Sequence, residues 1–310
     1  MAQCADLFFT GGNGEMKCGV YVQNFGEYGD PNKLIELAIE AEQAGWDGFF
    51  VWDHLLLYRH SDIPFVDAWV ALAAIAARTD RLRLGPVVTP LARRRPWKVA
   101  REVVSLDHLS RGRAVLGVGL GAPPDAEFEF FGEDPSDRVR ARKLDEALSV
   151  LDGLWRGEPF SHDGDYFHIK EVKFAPRPVQ SPRVPVWVAG FWPNKPPMRR
   201  AARWDGVFPL KMPRVPLVGL TPGAAPWSIL WLQPKELGEA VSYVRQHRTD
   251  AGPFDVIASG ATPPGETAKG RELVNSFREA GATWWLEWLD ETRGTFAHMR
   301  EHIRKGPPRI

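Results

Sequence analysis

Cysteine is almost missing: of 310 residues only Cys4 and Cys18 carry a thiol. A disulfide framework is therefore not expected to hold the fold, and a reducing compartment, the cytoplasm, is the expected location. Long apolar runs are missing too. Stretches such as VDAWVALAAIAA (66–77) fall short of the roughly 20 residues that a membrane-spanning helix needs. The first residues show no basic segment leading into an apolar stretch with a small-residue cleavage site, so export is not expected. Neither sign of charge is in excess, since 39 Lys and Arg face 39 Asp and Glu with no long block of either. Nucleic acid and anionic bilayers are therefore not expected partners. No G-x-S-x-G is present, which leaves a serine-hydrolase elbow without support. His298 and His302 have a helical metal-ligand spacing, but residue 299 is Met rather than the Glu a zinc protease requires. They read as basic groups suiting the end of a terminal surface helix, and no metal site is expected.

What the chain has is apolar bulk. Hydrophobic residues make up 44%, with 13 Trp and 17 Phe, enough to fill a core and line a pocket for a small molecule. Its length suits one barrel of alternating strands and helices, which occupies about 250 residues plus insertions. Residues 1–15 lack any sustained period and end in Gly11, Gly12 and Gly14. They read as a flexible leader outside the fold, with Met16 as the natural start.

From residue 16 onward, short β-rich runs alternate with helical patterns, the grammar of parallel strands joined by crossover helices. The first helix is the clearest. In DPNKLIELAIEAEQAG, Asp30 reads as N-cap, Pro31 as the first helical residue and Gly45 as the stop, with Leu34, Leu37, Ala38 and Ala41 on one face. Strands follow at 48–54, 81–89 and 113–119, with helices at 66–79 and 96–109 between them. An insertion at about 122–183 then delays the fifth strand, VPVWVAG (184–190). It holds a predicted helix from about Ser136 to Trp155 and a hairpin around His162, Asp163 and Gly164. Runs at 205–212, 254–260 and 283–289, with CGVYVQN (18–24) as the first strand, complete eight. The reading is a single α/β domain over 16–310, a (β/α)8 TIM barrel with an insertion after strand 4.

In such a barrel the active site forms where the strands end. The residues there are Gln23 and Asn24, Asp53 and His54, Val87 to Thr89, Gly119 to Gly121, and Gly190 to Lys195. An imidazole at the mouth exchanges protons near neutral pH, which makes His54 the catalytic candidate. Asp53 would fix its tautomer if the two side chains converge; adjacent residues on an extended strand point oppositely, which supports that pairing only weakly and leaves Asp53 to hold a neighbouring loop instead. GVGLGA (117–122) formally matches a dinucleotide fingerprint, but Pro123 and Pro124 stand where its helix should open, and a Rossmann site is not expected. Past strand 5, a helix predicted to begin near Pro196 or Pro197 offers amides for phosphate, with Lys195 adding charge. RRRPW (93–97) can reach a phosphate or carboxylate, although at least one of its arginines must be solvated.

Three stretches, AEQAGWDGFFVWDHL (41–55), the long run 67–121 and FAPRPVQSPRVPVWVAG (174–190), resemble the bacterial luciferase-like superfamily of flavin- or deazaflavin-dependent oxidoreductases. The final third agrees only in barrel grammar. The resemblance implies FMN, or alternatively the deazaflavin F420, held over the strand ends, with His54 in acid-base chemistry and Asn24 beside the ring. It implies a non-prolyl cis peptide at Val87-Val88 behind the ring, while the glycines of GVGLGA, Gly119 among them, read on their own as letting a planar ligand or another strand approach the backbone. Gly190, Phe191, Trp192, Asn194 and Lys195 fall in the segment that holds the cofactor phosphate. The implied function is a monooxygenase using reduced FMN from a separate flavin reductase to act on a small organic substrate. The alternatives are hydride transfer with F420 and non-catalytic flavin binding. Homo-oligomers are common in such relatives. Some sugar-phosphate-oxidising deazaflavin members have a catalytic glutamate where this chain has Ala122, so that reaction is not expected.

Overall fold

The computed structural model describes residues 16–214, 217 and 227–310; the expected leader and Cys4 lie outside them. The chain opens with β1 (Lys17–Val22), α1 (Pro31–Gln43), β2 (Gly48–Val51), α2 (Ala68–Ala76), β3 (Arg83–Pro86) and β4 (Thr89–Pro90). Next come α3 (Pro96–Leu109), β5 (Leu116–Gly119), α4 (Pro124–Glu127), α5 (Asp137–Trp155), β6 (Pro159–Asp163) and β7 (His168–Lys173). The remainder is β8 (Val186–Trp192), α6 (Lys195–Ala201), β9 (Gly206–Lys211), α7 (Pro234–His247), β10 (Asp255–Gly260), α8 (Thr267–Glu279), β11 (Trp284–Leu289) and α9 (Phe296–Arg304).

Local chemistry explains the helix bounds. Asp30 caps α1 by accepting from Asn32 N, Pro31 occupies the first turn, and Gly45 adopts a left-handed φ of 88° past the end. Asp67 accepts from Trp69 N and Val70 N, so α2 begins at Ala68, two residues inside the expected span. Ser136 caps α5.

Nine strand segments form one sheet in the order β3-β2-β1-β11-β10-β9-β8-β5-β4, all pairs parallel. The two end segments are successive halves of one barrel strand. β3 pairs with β2, whereas β4 pairs with β5 through Thr89↔Val118 and Pro90↔Gly119. A parallel bridge between Leu84 and Ala114 ties the first half to the same neighbour. The sheet is thus closed into a barrel, with the expected third strand divided at the Val87–Val88 peptide, which is cis. The insertion hairpin pairs β6 with β7 apart from this sheet, and Gly164 N donates to Phe167 O across its turn (3.1 Å).

Alternation along each strand sorts the core into two layers. Cys18, Val20 and Val22 of β1 face the helices, together with Trp285 and Leu289 of β11. Tyr21, Phe50, Trp187, Phe208, Trp284, Leu286 and Trp288 fill the interior. Such bulky rings fit because the facing positions are glycines. A Cβ on Gly48 would stand 2.6 Å from Phe50 Cε2, and one on Gly206 would stand 2.6 Å from Trp187 Cδ1. Asp255, at the start of β10, accepts from the indoles of Trp187 (3.0 Å) and Trp284 (3.1 Å), so neither buried indole is left without an acceptor. Among the described residues no helix is long and apolar enough to cross a membrane.

Candidate active site

A cavity of about 890 Å³ opens where the strands end, within the roughly 300–1,000 Å³ usual for ligand pockets. Tyr21, Trp52, His54, Val87, Val88, Gly119, Ala189, Gly190, Phe191 and Asn194 line it, with Leu210 and Trp288 on the far side. Most of the expected site residues therefore meet around one space.

His54 follows β2, and its ring packs edge-on to Trp52 (5.6 Å) and Phe25 (6.0 Å). Its Nδ1 lies 2.7 Å from Oε1 of Glu127, whose side chain is fully buried. A carboxylate only accepts, so Nδ1 carries the proton and Nε2 of the neutral ring is left as an acceptor. The buried charge of Glu127 also has Arg93, with Nε 3.0 Å from Oε2. Burying a carboxylate is tolerable only with such partners, and stripping one away costs about 3–5 kcal/mol. The histidine is thus fixed in tautomer and direction by a residue 73 positions downstream.

Asp53 behaves as its strand position requires. Its carboxylate accepts from Thr89 Oγ1 (2.8 Å) and from Arg94 Nη2 (2.9 and 2.8 Å), binding the loop after the third barrel strand rather than the neighbouring imidazole. Arg93 also donates to the Asp53 carbonyl. Two arginines of the RRR run therefore reach carboxylates, and the third, Arg95, is solvated.

Three expected cofactor residues do not line the cavity. Asn24 is fully buried, and its Nδ2 donates to His54 O (2.9 Å) and Val66 O (2.8 Å) while its Oδ1 accepts from His54 N (3.2 Å). It seats the histidine backbone instead. Trp192 packs in the helix layer, and Lys195 places Nζ 3.8 Å above the Trp192 ring and 4.3 Å above Tyr243. The helix there begins at Lys195, and Pro196 and Pro197 in its first turn have no N–H to offer. In the segment expected to hold a phosphate, this turn is poor in backbone donors and its lysine lies over aromatic rings. Gly190 has a different reason to be glycine, since a Cβ would stand 2.2 Å from Pro197 Cβ.

Cations do reach the cavity from elsewhere. Arg138 in the first turn of α5 and Arg214 after β9 line it, are exposed, and have no ion pair or hydrogen bond among the described residues. Arg140 also lines it but donates to Leu120 O (3.0 Å) and Gly121 O (2.6 Å), tying α5 to the end of β5. Burial pushes its guanidinium pKa down, against the charge of Asp137. His302, expected on a surface helix, instead places Nε2 3.2 Å from both Glu287 Oε1 and Thr262 Oγ1 on the outer side of β11. No group of three or more metal-ligating side chains occurs among the described residues.

A closed parallel barrel whose strand ends surround an apolar cavity, with one oriented imidazole, defines a cofactor- or substrate-binding α/β barrel. The luciferase-like monooxygenase family matches residues 16–211, and the chain belongs to that family. An F420-dependent glucose-6-phosphate dehydrogenase of Gordonia bronchialis is 36% identical over 168 residues, which is 53% of this chain and 48% of that protein. The chain thus matches about half the length of such curated relatives. Among solved structures, an F420-dependent secondary alcohol dehydrogenase in complex with an F420-acetone adduct superposes with a TM-score of 0.72 at 19% identity, covering 93% of this chain and 98% of that one. Monooxygenase RslO1 from Streptomyces bottropensis gives a TM-score of 0.72 at 21% identity, covering 93% and 97%. These likenesses establish the fold.

Proposed function

We propose that the protein is an oxidoreductase that uses F420 to move a hydride to or from a small organic substrate, with His54 exchanging the substrate's proton. The observation that carries this reading is the imidazole fixed by buried Glu127, with its second nitrogen left unpartnered on a ring that lines the cavity. The names of the curated relatives support F420 over reduced FMN, the expectation drawn from the resemblance. The wall chemistry fits a flat tricyclic ring. Val87, Val88, Gly119, Gly190 and Phe191 would back it, and Arg138 and Arg214 at the exposed rim suit an anionic tail. When bound, the deazaflavin supplies the hydride chemistry.

The chain's own residues do the rest. Asn24 and Glu127 hold His54, whose Nε2 takes a proton from an alcohol or returns it to a carbonyl. Arg140 and the α4–α5 segment cover the cavity beside β5 and exclude water.

FMN-using monooxygenation is the second reading, supported by the fold shared with RslO1, and it would call for a separate flavin reductase. Equilibrium dialysis against F420 and FMN, with the retained chromophore identified by absorbance and mass, tests the choice. Retention of F420 and its reduction by a turned-over substrate are expected. Retention of FMN with exclusion of F420 would overturn the reading.

A further inference from the structure

Tyr21 reaches the cavity from the first strand. β1 is paired on both sides, and Tyr21 stands level with Phe50 of β2 and Trp288 of β11. Its ring packs edge-on against Trp288 (5.0 Å) and Phe208 (5.8 Å) and tilts against Trp52 (5.5 Å), which also touches the His54 ring (5.6 Å). Tyr21 and His54 thus flank one indole and line the same cavity. Tyr21 is only 6% exposed, yet its hydroxyl has no hydrogen-bond partner among the described residues. A buried phenol ordinarily finds one. Burial also pushes its pKa far above the ordinary value, so the O–H keeps its proton and offers it only as a hydrogen bond. The other polar side chains around the cavity are engaged, enclosed or at the rim. Asp53 has its carboxylate filled by Thr89 and Arg94 and would repel negative charge. Arg140 spends its donors on Leu120 O, Gly121 O and Asp137, and Arg200 is held by Asp145 at 2.7 Å. The indole N–H groups of Trp52 and Trp288 are enclosed by protein, and Arg138, Asn194 and Arg214 are exposed.

We propose that Tyr21 is a second catalytic residue of this site, its neutral phenol donating a hydrogen bond to the substrate oxygen on which His54 exchanges a proton. The proposal rests on the oxidoreductase reading above. In either direction that oxygen gathers negative charge whenever proton and hydride move out of step. The O–H proton leaves to His54 Nε2 before the C–H hydride departs to the bound cofactor, or the hydride reaches the carbonyl carbon before the proton arrives. The electron pair left on oxygen then sits in a pocket of low dielectric, where a fixed donor stabilises it most. Tyr21 itself neither gains nor loses a proton; that exchange stays with His54.

Tyr21→Phe isolates the hydroxyl, because the ring contacts survive and no hydrogen bond within the described residues is lost. A packing role therefore predicts no change. The full-length protein without cofactor is titrated with 4-nitrophenol along a pH series, ionisation of the bound ligand being read from its absorbance, and with 4-nitroanisole, which has no proton to lose. Saturable binding of both is expected. In Tyr21→Phe the apparent pKa of bound 4-nitrophenol is expected to rise by about 1, a tenfold loss for the phenolate relative to the phenol, while 4-nitroanisole binds within about threefold of the parent protein. With a substrate that turns over F420, the variant is expected to lose about 10²-fold in kcat at nearly constant KM. An unmoved pKa, loss of 4-nitroanisole together with 4-nitrophenol, failure of both to bind the parent protein, or an unchanged kcat overturns the proposal. A moved pKa in a protein that excludes F420 removes the cofactor reading and still supports Tyr21 as the hydrogen-bond donor of the cavity.

Discussion

Glu127 and Glu287 are both fully buried carboxylates, and each joins one histidine to one arginine. Around Glu127, His54 Nδ1 stands at 2.7 Å and Arg93 Nε at 3.0 Å. Around Glu287, Arg293 Nη1 stands at 2.7 Å and His302 Nε2 at 3.2 Å, joined by Thr262 N and the Trp285 indole at 2.9 Å each. The inventories match; the settings do not. Burial alone would push the Glu287 carboxyl up, but hydrogen bonding from His302 and the Arg293 charge hold it below the usual range. Its histidine bonds to Glu287 and Thr262 and does not line the cavity at the strand ends. His54 spends one nitrogen on the carboxylate and keeps the other. On the proposed reading the same trio is a brace on the outer side of β11 and a proton-handling unit at the end of β2, and what separates the two is the adjoining space.

Variants that treat the two trios alike sharpen this contrast. The largest effect is expected from His54→Ala, which should lower turnover per folded molecule about 10²- to 10⁴-fold and leave cofactor affinity nearly unchanged, at a cost of up to about 3–5 kcal/mol in stability because Glu127 keeps only Arg93. Steady-state kinetics beside a cofactor titration check it, and unaltered turnover would remove His54 from the chemistry. Glu287→Ala should instead cost about 3–5 kcal/mol in urea unfolding, because Arg293 is left buried without its counter-charge. Turnover per folded molecule should persist; selective loss of catalysis would break the comparison. Glu127→Gln keeps an acceptor for His54 Nδ1 but removes the charge paired with Arg93, and a fall in kcat of roughly tenfold or more with KM nearly unchanged is expected. A change confined to KM argues against a positioning role.

The smallest effect belongs to His302→Ala, about 1–2 kcal/mol of stability with normal kinetics. The lowered pKa of Glu287 means that its stabilisation is present above the ordinary carboxyl range and is lost as pH falls through the lowered value. Removing His302 takes away part of what lowers it, so the acid unfolding limb should begin at a higher pH. Circular dichroism along a pH series reads this directly.

Much of the architecture was legible because it repeats. Alternating apolar runs and capped helices marked every barrel strand, and the end of the second placed His54 at the mouth. The period-2 rule also turned Asp53 away from it, as Arg94 and Thr89 bear out. Glu127 was not legible, since it lies in AEFEFF within the insertion, where no period says which acid turns inward. A faint signal existed: two prolines followed by acids open a short helical turn just past a strand end. Lys195 is a different case. A cation before a helix suggested phosphate, whereas the structure sets its ammonium over the Trp192 and Tyr243 rings with two prolines in the turn after it. Asn24 sat at the right strand end, but only the third dimension shows its amide turned to the backbone of His54 and Val66.

The split of the third barrel strand has a mechanical side. On one flank of the joint β3 is tied to β5's strand by the single Leu84–Ala114 bridge, and on the other β4 contributes two paired residues. Val87 and Val88, at this joint, also form the cavity wall. If the proposed ring lies flat against that wall, it bears on the seam of the cylinder, and binding should tighten the pairing there. Slower amide exchange at residues 114–119 would be its signature.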